Sequence, residues 1–139
     1  MNTYFEVKTQ YSKIGEDGNP KKVSESFLAD AISCTDAELI VTKEVQPFSN
    51  GEFKIKNIRE TTIAELFQRD VEGKWYACRL AMVVEADNGK EKRIPVLIYV
   101  RAVDVNDAEE FVMLQLKKSM ADWVVVGVTE TKIIDVFTK

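Results

Sequence analysis

The sequence predicts an α+β protein made of two tandem ββαβ repeats, each an antiparallel sheet with one helix, in a pseudo-two-fold arrangement. Three observations carry this expectation. A strand-to-helix junction, Leu28-Ala29-Asp30-Ala31-Ile32-Ser33-Cys34-Thr35-Asp36-Ala37-Glu38, returns as Tyr99-Val100-Arg101-Ala102-Val103-Asp104-Val105-Asn106-Asp107-Ala108-Glu109. Hairpin-tip glycines, in Asp17-Gly18 and Asn88-Gly89, precede both junctions. The closing segments Glu60-Thr61…Ile63…Phe67 and Glu130-Thr131…Ile133…Phe137 match as well. Collinear matches at separate places make a missed repeat the main risk in reading this chain.

The first copy opens with Tyr4 to Tyr11, where Phe5, Val7 and Tyr11 alternate with Glu6, Lys8 and Gln10 as in a half-buried strand. After the Gly15-to-Pro20 break, a second strand over roughly Lys22 to Ser33 should pair antiparallel with the first. Thr35 is the expected helix N-cap, with Glu38 closing a capping box. Ala37, Ile40, Val41, Val45 and Phe48 form an apolar stripe at helical spacing. Phe53 to Lys56 resumes strand alternation, and Glu60 to Phe67 is read as a short apolar tail.

The second copy repeats this order. Trp75-Tyr76 stands where Tyr4-Phe5 stood, and Ile94 to Val103 is the second strand. Asn106 and Glu109 cap a helix whose stripe is Ala108, Phe111, Val112, Leu116 and Met120, and Trp123 to Val128 is the third strand. One helix covers only one face of a three-stranded sheet, so each half alone would be thin and the halves are expected to share one core. The expected organisation is a single domain over 1–139, with repeats 3–67 and 74–137 and a polar linker 68–73.

Composition narrows the function classes. A net charge of −4 and a pI near 5.0 give no general pull toward nucleic acid or anionic membrane. The longest apolar run, around Trp123 to Val128, is far short of the roughly 20 residues of a membrane span. With no evident signal peptide and two cysteines outside any framework, a cytoplasmic setting is expected. Histidine is absent, which removes the commonest general base and the commonest transition-metal ligand.

The Trp75-Tyr76 pair, the Ala102-to-Glu109 junction, the Met120-Ala121-Asp122 turn, Gly51-Glu52-Phe53 and the closing Glu130-Thr131…Ile133…Asp135-Val136-Phe137 carry a resemblance. Over nearly its whole length the chain resembles a family of small proteins of Bacteroides-type gut bacteria and their phages that bears a domain-of-unknown-function label. The resemblance implies a bacterial or phage setting and supplies no activity, cofactor or site.

The two copies act as an internal control for chemistry. Cys34 precedes a helix start, where a dipole could activate a thiol, but Val105 is its counterpart and Cys78 matches Val7. Both cysteines are therefore expected to be small buried hydrophobes. The acids of Asp36-Ala37-Glu38 and Asp107-Ala108-Glu109 are explained by capping and the helix dipole. The acidic tip Glu16-Asp17-Gly18-Asn19 lacks the ligand spacing of a calcium loop. No phosphate-binding glycine loop, nucleophile elbow or cysteine cluster is present, so no catalytic, cofactor or metal residue is assigned.

The copies differ on their expected outer faces. Lys8 on the first strand joins Lys54, Lys56 and Arg59 on the third in a candidate basic face, with Tyr4 as a stacking ring. The corresponding surface of the second copy is apolar. There Leu97, Tyr99, Arg101, Val124 and Val126 form a candidate interface, for the other copy or for a second chain. The leading functional expectation is a small non-enzymatic binding or adaptor protein, with a protein partner or a homo-oligomer as the assembly it suggests. The main alternative is a nucleic-acid-binding module using the basic face. A small-ligand carrier or enzyme comes third, because it needs a concave pocket with converging polar groups.

Overall fold

Gly18 and Gly89 both adopt a φ of 80° at the tips of two long hairpins, a left-handed conformation that glycine accepts without a Cβ clash. The computed structural model describes residues 2–138. The first hairpin joins β1 (Tyr4–Ile14) to β2 (Pro20–Asp30), and α1 (Cys34–Val45) follows, ending in a 3-10 turn at Gln46–Phe48. Next come β3 (Phe53–Glu60) and β4 (Ile63–Phe67). The same series runs again as β5 (Lys74–Glu85), β6 (Glu91–Ala102), α2 (Val105–Leu116), β7 (Asp122–Glu130) and β8 (Ile133–Phe137). The mixed α+β class expected from the sequence is the class observed.

The described residues form two four-stranded sheets, ordered β3-β1-β2-β8 and β4-β6-β5-β7. As expected, β1 and β2 pair antiparallel, from Tyr4↔Asp30 to Ile14↔Pro20. The closing segments behave differently from the expected tails. They are strands, and each joins the sheet nucleated by the other half of the sequence: β4 pairs parallel with β6, and β8 parallel with β2. Two compact units result, one running to Thr62 and taking back the segment from Lys132, the other spanning Ile63–Thr131.

A threonine marks each departure. Thr61 donates from its amide and its hydroxyl to the Tyr4 carbonyl, at 2.9 and 2.7 Å, at the end of β3. Thr131 does the same to the Trp75 carbonyl, at 2.9 and 2.8 Å, at the end of β7. Both threonines complete the pairing of a first strand before the chain turns away.

In the first unit α1 lays Ala37, Val41 and Val45 on Phe5, Val7, Tyr11, Phe27 and Ala29. In the second, α2 lays Ala108 and Val112 on Tyr76, Cys78, Leu80, Ile98 and Val100. Val41 and Val112 are essentially inaccessible, and burial of each contributes about 1.5–3 kcal/mol. Two expected stripe residues stay outside: Phe48 is 75 % exposed and Met120 fully exposed. Both lie beyond the last helical turn, Phe48 in the 3-10 segment and Met120 after Leu116, so helical spacing no longer aims them at the sheet.

The helices also begin two residues earlier than expected. Ser33 and Asp104 are the N-caps in place of Thr35 and Asn106, their side chains accepting from the amides of Asp36 (3.1 Å) and Asp107 (2.8 Å). The reciprocal acceptors are Asp36 and Asp107, from the amides of Ile32 (3.1 Å) and Val103 (3.0 Å), not Glu38 and Glu109. Aspartate at the third helical position thus does what the glutamates were expected to do. In the 68–73 segment Arg69 is anchored to Asp107 at 2.9 Å and lies 4.5 Å over the Phe111 ring. The two cysteines part company: Cys78 is buried, as expected, whereas Cys34 is exposed at the first position of α1. Burial, and then the charge of Glu109, push the Cys78 thiol up to about 11.

Candidate functional site

Alternation along β1 sends Phe5, Val7, Thr9, Tyr11 and Lys13 to the side of the first sheet that α1 covers. The register places Thr9 opposite Glu25 on β2, between the apolar pairs Val7↔Phe27 and Tyr11↔Val23. A carboxylate therefore stands on the core side of the sheet, with its side chain only 14 % exposed. Such a group is costly unless its oxygens are engaged. They are: the Tyr11 hydroxyl donates to Glu25 Oε1, and Lys13 Nζ reaches Oε2 at 3.4 Å. The fully buried Thr9 donates its hydroxyl to the Glu25 carbonyl at 2.9 Å. Burial, followed by the hydrogen bond to Glu25 and its charge, holds the Tyr11 phenol well above its usual range.

The matching register of the second sheet is apolar. Leu80 faces Val96 and Met82 faces Ile94, with Val84 one step further along β5, so Thr9, Tyr11, Lys13 and Glu25 have no polar counterparts there. These inner-face residues lie outside the sites expected from the sequence, which were all on outer faces. The signal was present: Val23, Glu25 and Phe27 share one parity, and Glu25 aligns with Val96.

This polar cluster opens into a cavity of about 780 Å³ within the first unit. Tyr11, Phe27, Val45 and Phe137 form its inner wall, with the Phe27 and Phe137 rings stacked at 5.5 Å. Its rim carries three exposed large apolar side chains: Phe48, Ile14 at 53 % and Ile134 at 54 %. The rim is tied down by the Asn50 amide, which donates to the Ser12 carbonyl at 2.6 Å, and by the Ser49 hydroxyl on the Gln46 carbonyl at 2.7 Å. Because β8 supplies Ile134, Asp135 and Phe137, the strand from the far end of the chain completes this wall. A smaller cavity of about 360 Å³ in the second unit lies beside Met113, Leu116 and Trp123, and its charged lining residues Glu109, Lys117 and Asp122 are all exposed.

The residues expected to form a basic face fall as follows. Lys8, Lys54 and Arg59 share the face of the first sheet away from α1, opposite Asn57, Gln10 and Glu6 respectively. Lys56 sits at the irregularity in β3 between the residues paired with Lys8 and Thr9. Arg59 is paired with Glu6 and Lys54 with Glu52, each at 3.1 Å, which offsets part of the positive charge. Tyr4 is 6 % exposed, so its ring is not open for a base to stack on. In the second unit Leu97, Arg101 and Val124 are half-buried, Tyr99 is buried, and Val126 is 62 % exposed beside the irregularity in β7. The buried Arg101 Nε has no hydrogen-bond partner among the described residues.

Among the described residues no cluster of three or more Cys, Asp or Glu side chains is placed to hold a metal ion, and no helix is long and apolar enough to cross a membrane. Fold and site together define a small α+β protein with two four-stranded sheets and an aromatic-walled cavity that contains a partly buried tyrosine–glutamate pair. The chain belongs to the family described as a domain of unknown function (DUF4494), whose model matches residues 3–139. No curated protein and no solved structure matches it.

Proposed function

We propose that the protein is a non-enzymatic binding protein whose recognition site is the cavity of the first unit, and that its ligand is a small molecule with an apolar body. The observation that carries this reading is the cavity's pairing of exposed apolar rim and partly buried polar cluster. About 780 Å³ lies within the range typical of small-molecule sites, which combine apolar walls with a few fixed polar groups. Exposed Ile14, Phe48 and Ile134 around one opening gain by being covered. The Tyr11–Glu25–Lys13 cluster gives the cavity a fixed polar end, its side chains held in place by one another.

The reading extends to ancestry. The two halves are tandem ββαβ copies, each followed by a fifth element that joins the other sheet, and the first carries a polar cluster where the second is apolar. Equivalent caps at Ser33 and Asp104, equivalent acids at Asp36 and Asp107, and the twin threonines Thr61 and Thr131 support the duplication.

The test is a fragment screen by backbone chemical-shift mapping on the full chain. Shifts should concentrate on Phe27, Val45, Phe48 and Phe137, and a Phe48→Asp variant with an unchanged fold should lose them. Fragments that map elsewhere, or that bind the variant equally well, would overturn the assignment.

A further inference from the structure

We infer that the ligand of this cavity is an organic cation, an apolar or aromatic body bearing a protonated amine or quaternary ammonium. The inference rests on the ligand-binding reading above and adds the sign of the charge. Three carboxylates line the cavity, those of Glu25, Glu44 and Asp135, against a single ammonium, that of Lys13. Lys13 is already engaged with Glu25 at 3.4 Å. Glu44 and Asp135 have no ion pair among the described residues, although Asp135 Oδ1 accepts from the Val136 amide at 2.8 Å.

An anionic ligand would therefore meet two uncompensated carboxylates and find its only cation neutralised. A cationic one would find those carboxylates at the mouth and aromatic rings behind them. Phe48 projects at the rim, and Tyr11, Phe27 and Phe137 stand inside. The negative faces of aromatic rings attract ammonium groups, and the attraction grows as water is excluded. Glu44 and Asp135 are exposed, so their field acts at the mouth and is screened by salt. A neutral ligand would use the walls alone and leave that field unused.

The experiment compares three probes of one shape on the full chain by titration calorimetry and chemical-shift mapping: phenethylamine, phenethyl alcohol and hydrocinnamate. The amine should bind about tenfold more tightly than either of the others, the gain from two exposed carboxylates acting together, and its advantage should shrink as salt is raised. In the double variant Glu44→Gln and Asp135→Asn the amine should fall to the level of the alcohol. A Phe48→Ala variant should weaken all three probes together. If the alcohol or the acid binds in the cavity as well as the amine, the cation inference is overturned and the cavity reading stands. If none of the three shifts the cavity residues, the cation inference and the cavity reading fall together.

Discussion

The Tyr11 hydroxyl donates to the Glu25 carboxylate on the side of the first sheet that α1 covers, where the second sheet carries Met82 and Val96 instead. The same backbone register thus supports an ionisable pair in one unit and apolar side chains in the other. That difference separates what holds the sheet together from what the first unit adds to it.

Removing only one partner should cost more than removing both. Glu25→Val leaves the Tyr11 hydroxyl, on a residue 5 % exposed, without its acceptor, and should destabilise the protein by about 1–2 kcal/mol. The double change Tyr11→Met with Glu25→Val copies the second unit's chemistry and should recover much of that loss. Urea denaturation of the three proteins measures the coupling; strictly additive effects would contradict it.

Alkaline pH should expose Tyr11. Its folded-state pKa is raised, so the folded state holds the phenol proton more firmly than the unfolded chain does. Its contribution to stability is fully present below the unfolded phenol value of about 10 and is lost as pH rises above it toward the folded value. In a titration followed by the Tyr11 ring NMR signals, this phenol should ionise above the usual range, and in Glu25→Gln it should ionise earlier.

Asp107 has the opposite sign. The hydrogen bond from Arg69, and then that from the Val103 amide, hold its carboxyl below the usual range. Any stability this brings is present above the unfolded carboxylate value and is lost as pH falls toward the folded one. In Arg69→Gln, the Asp107 carboxyl followed by carbon-detected NMR should titrate at higher pH than in the parent. An unchanged midpoint would show that the 2.9 Å contact has no energetic consequence.

Two glycines should respond differently to alanine. A Cβ on Gly73 would lie 1.9 Å from the Ala102 carbonyl oxygen, a backbone atom that cannot retreat without breaking the β5–β6 register. Gly73→Ala should cost more than about 2 kcal/mol. A Cβ on Gly127 would meet the Arg79 guanidinium at 3.1 Å, and that flexible side chain can move aside. Gly127→Ala should cost under about 1 kcal/mol, as thermal melts of the two variants will show.

Truncation tests the strand exchange. Deleting the chain from Lys132 removes β8, so amide shifts should change along β2 and around the cavity of the first unit. If β8 belonged to the sheet of its own half, the changes would fall in β5–β7 instead.

Much of the fold was legible in the residues themselves. Short-range rules sufficed for the hairpins closed at Gly18 and Gly89 and for helices whose stripes run through Val41 and Val112, because the atoms that decide them are near in sequence. The caps slipped by two residues because Ser33 and Asp104 compete with Thr35 and Asn106 on the same local terms, and only hydrogen-bond geometry separates them. The destination of β4 and β8 was not legible. Ile63–Phe67 and Ile133–Phe137 are apolar strands of equal length, and nothing local says which distant sheet edge each will meet. That is decided by pairing with Leu97–Val100 and Ser26–Ala29, far along the chain. The cavity follows from the same decision, since β8 brings Ile134, Asp135 and Phe137 to Tyr11 and Glu25. By itself the sequence determined two hairpins, two helices and an internal likeness. Tertiary structure decided the exchange of the closing strands and so where a ligand can be held.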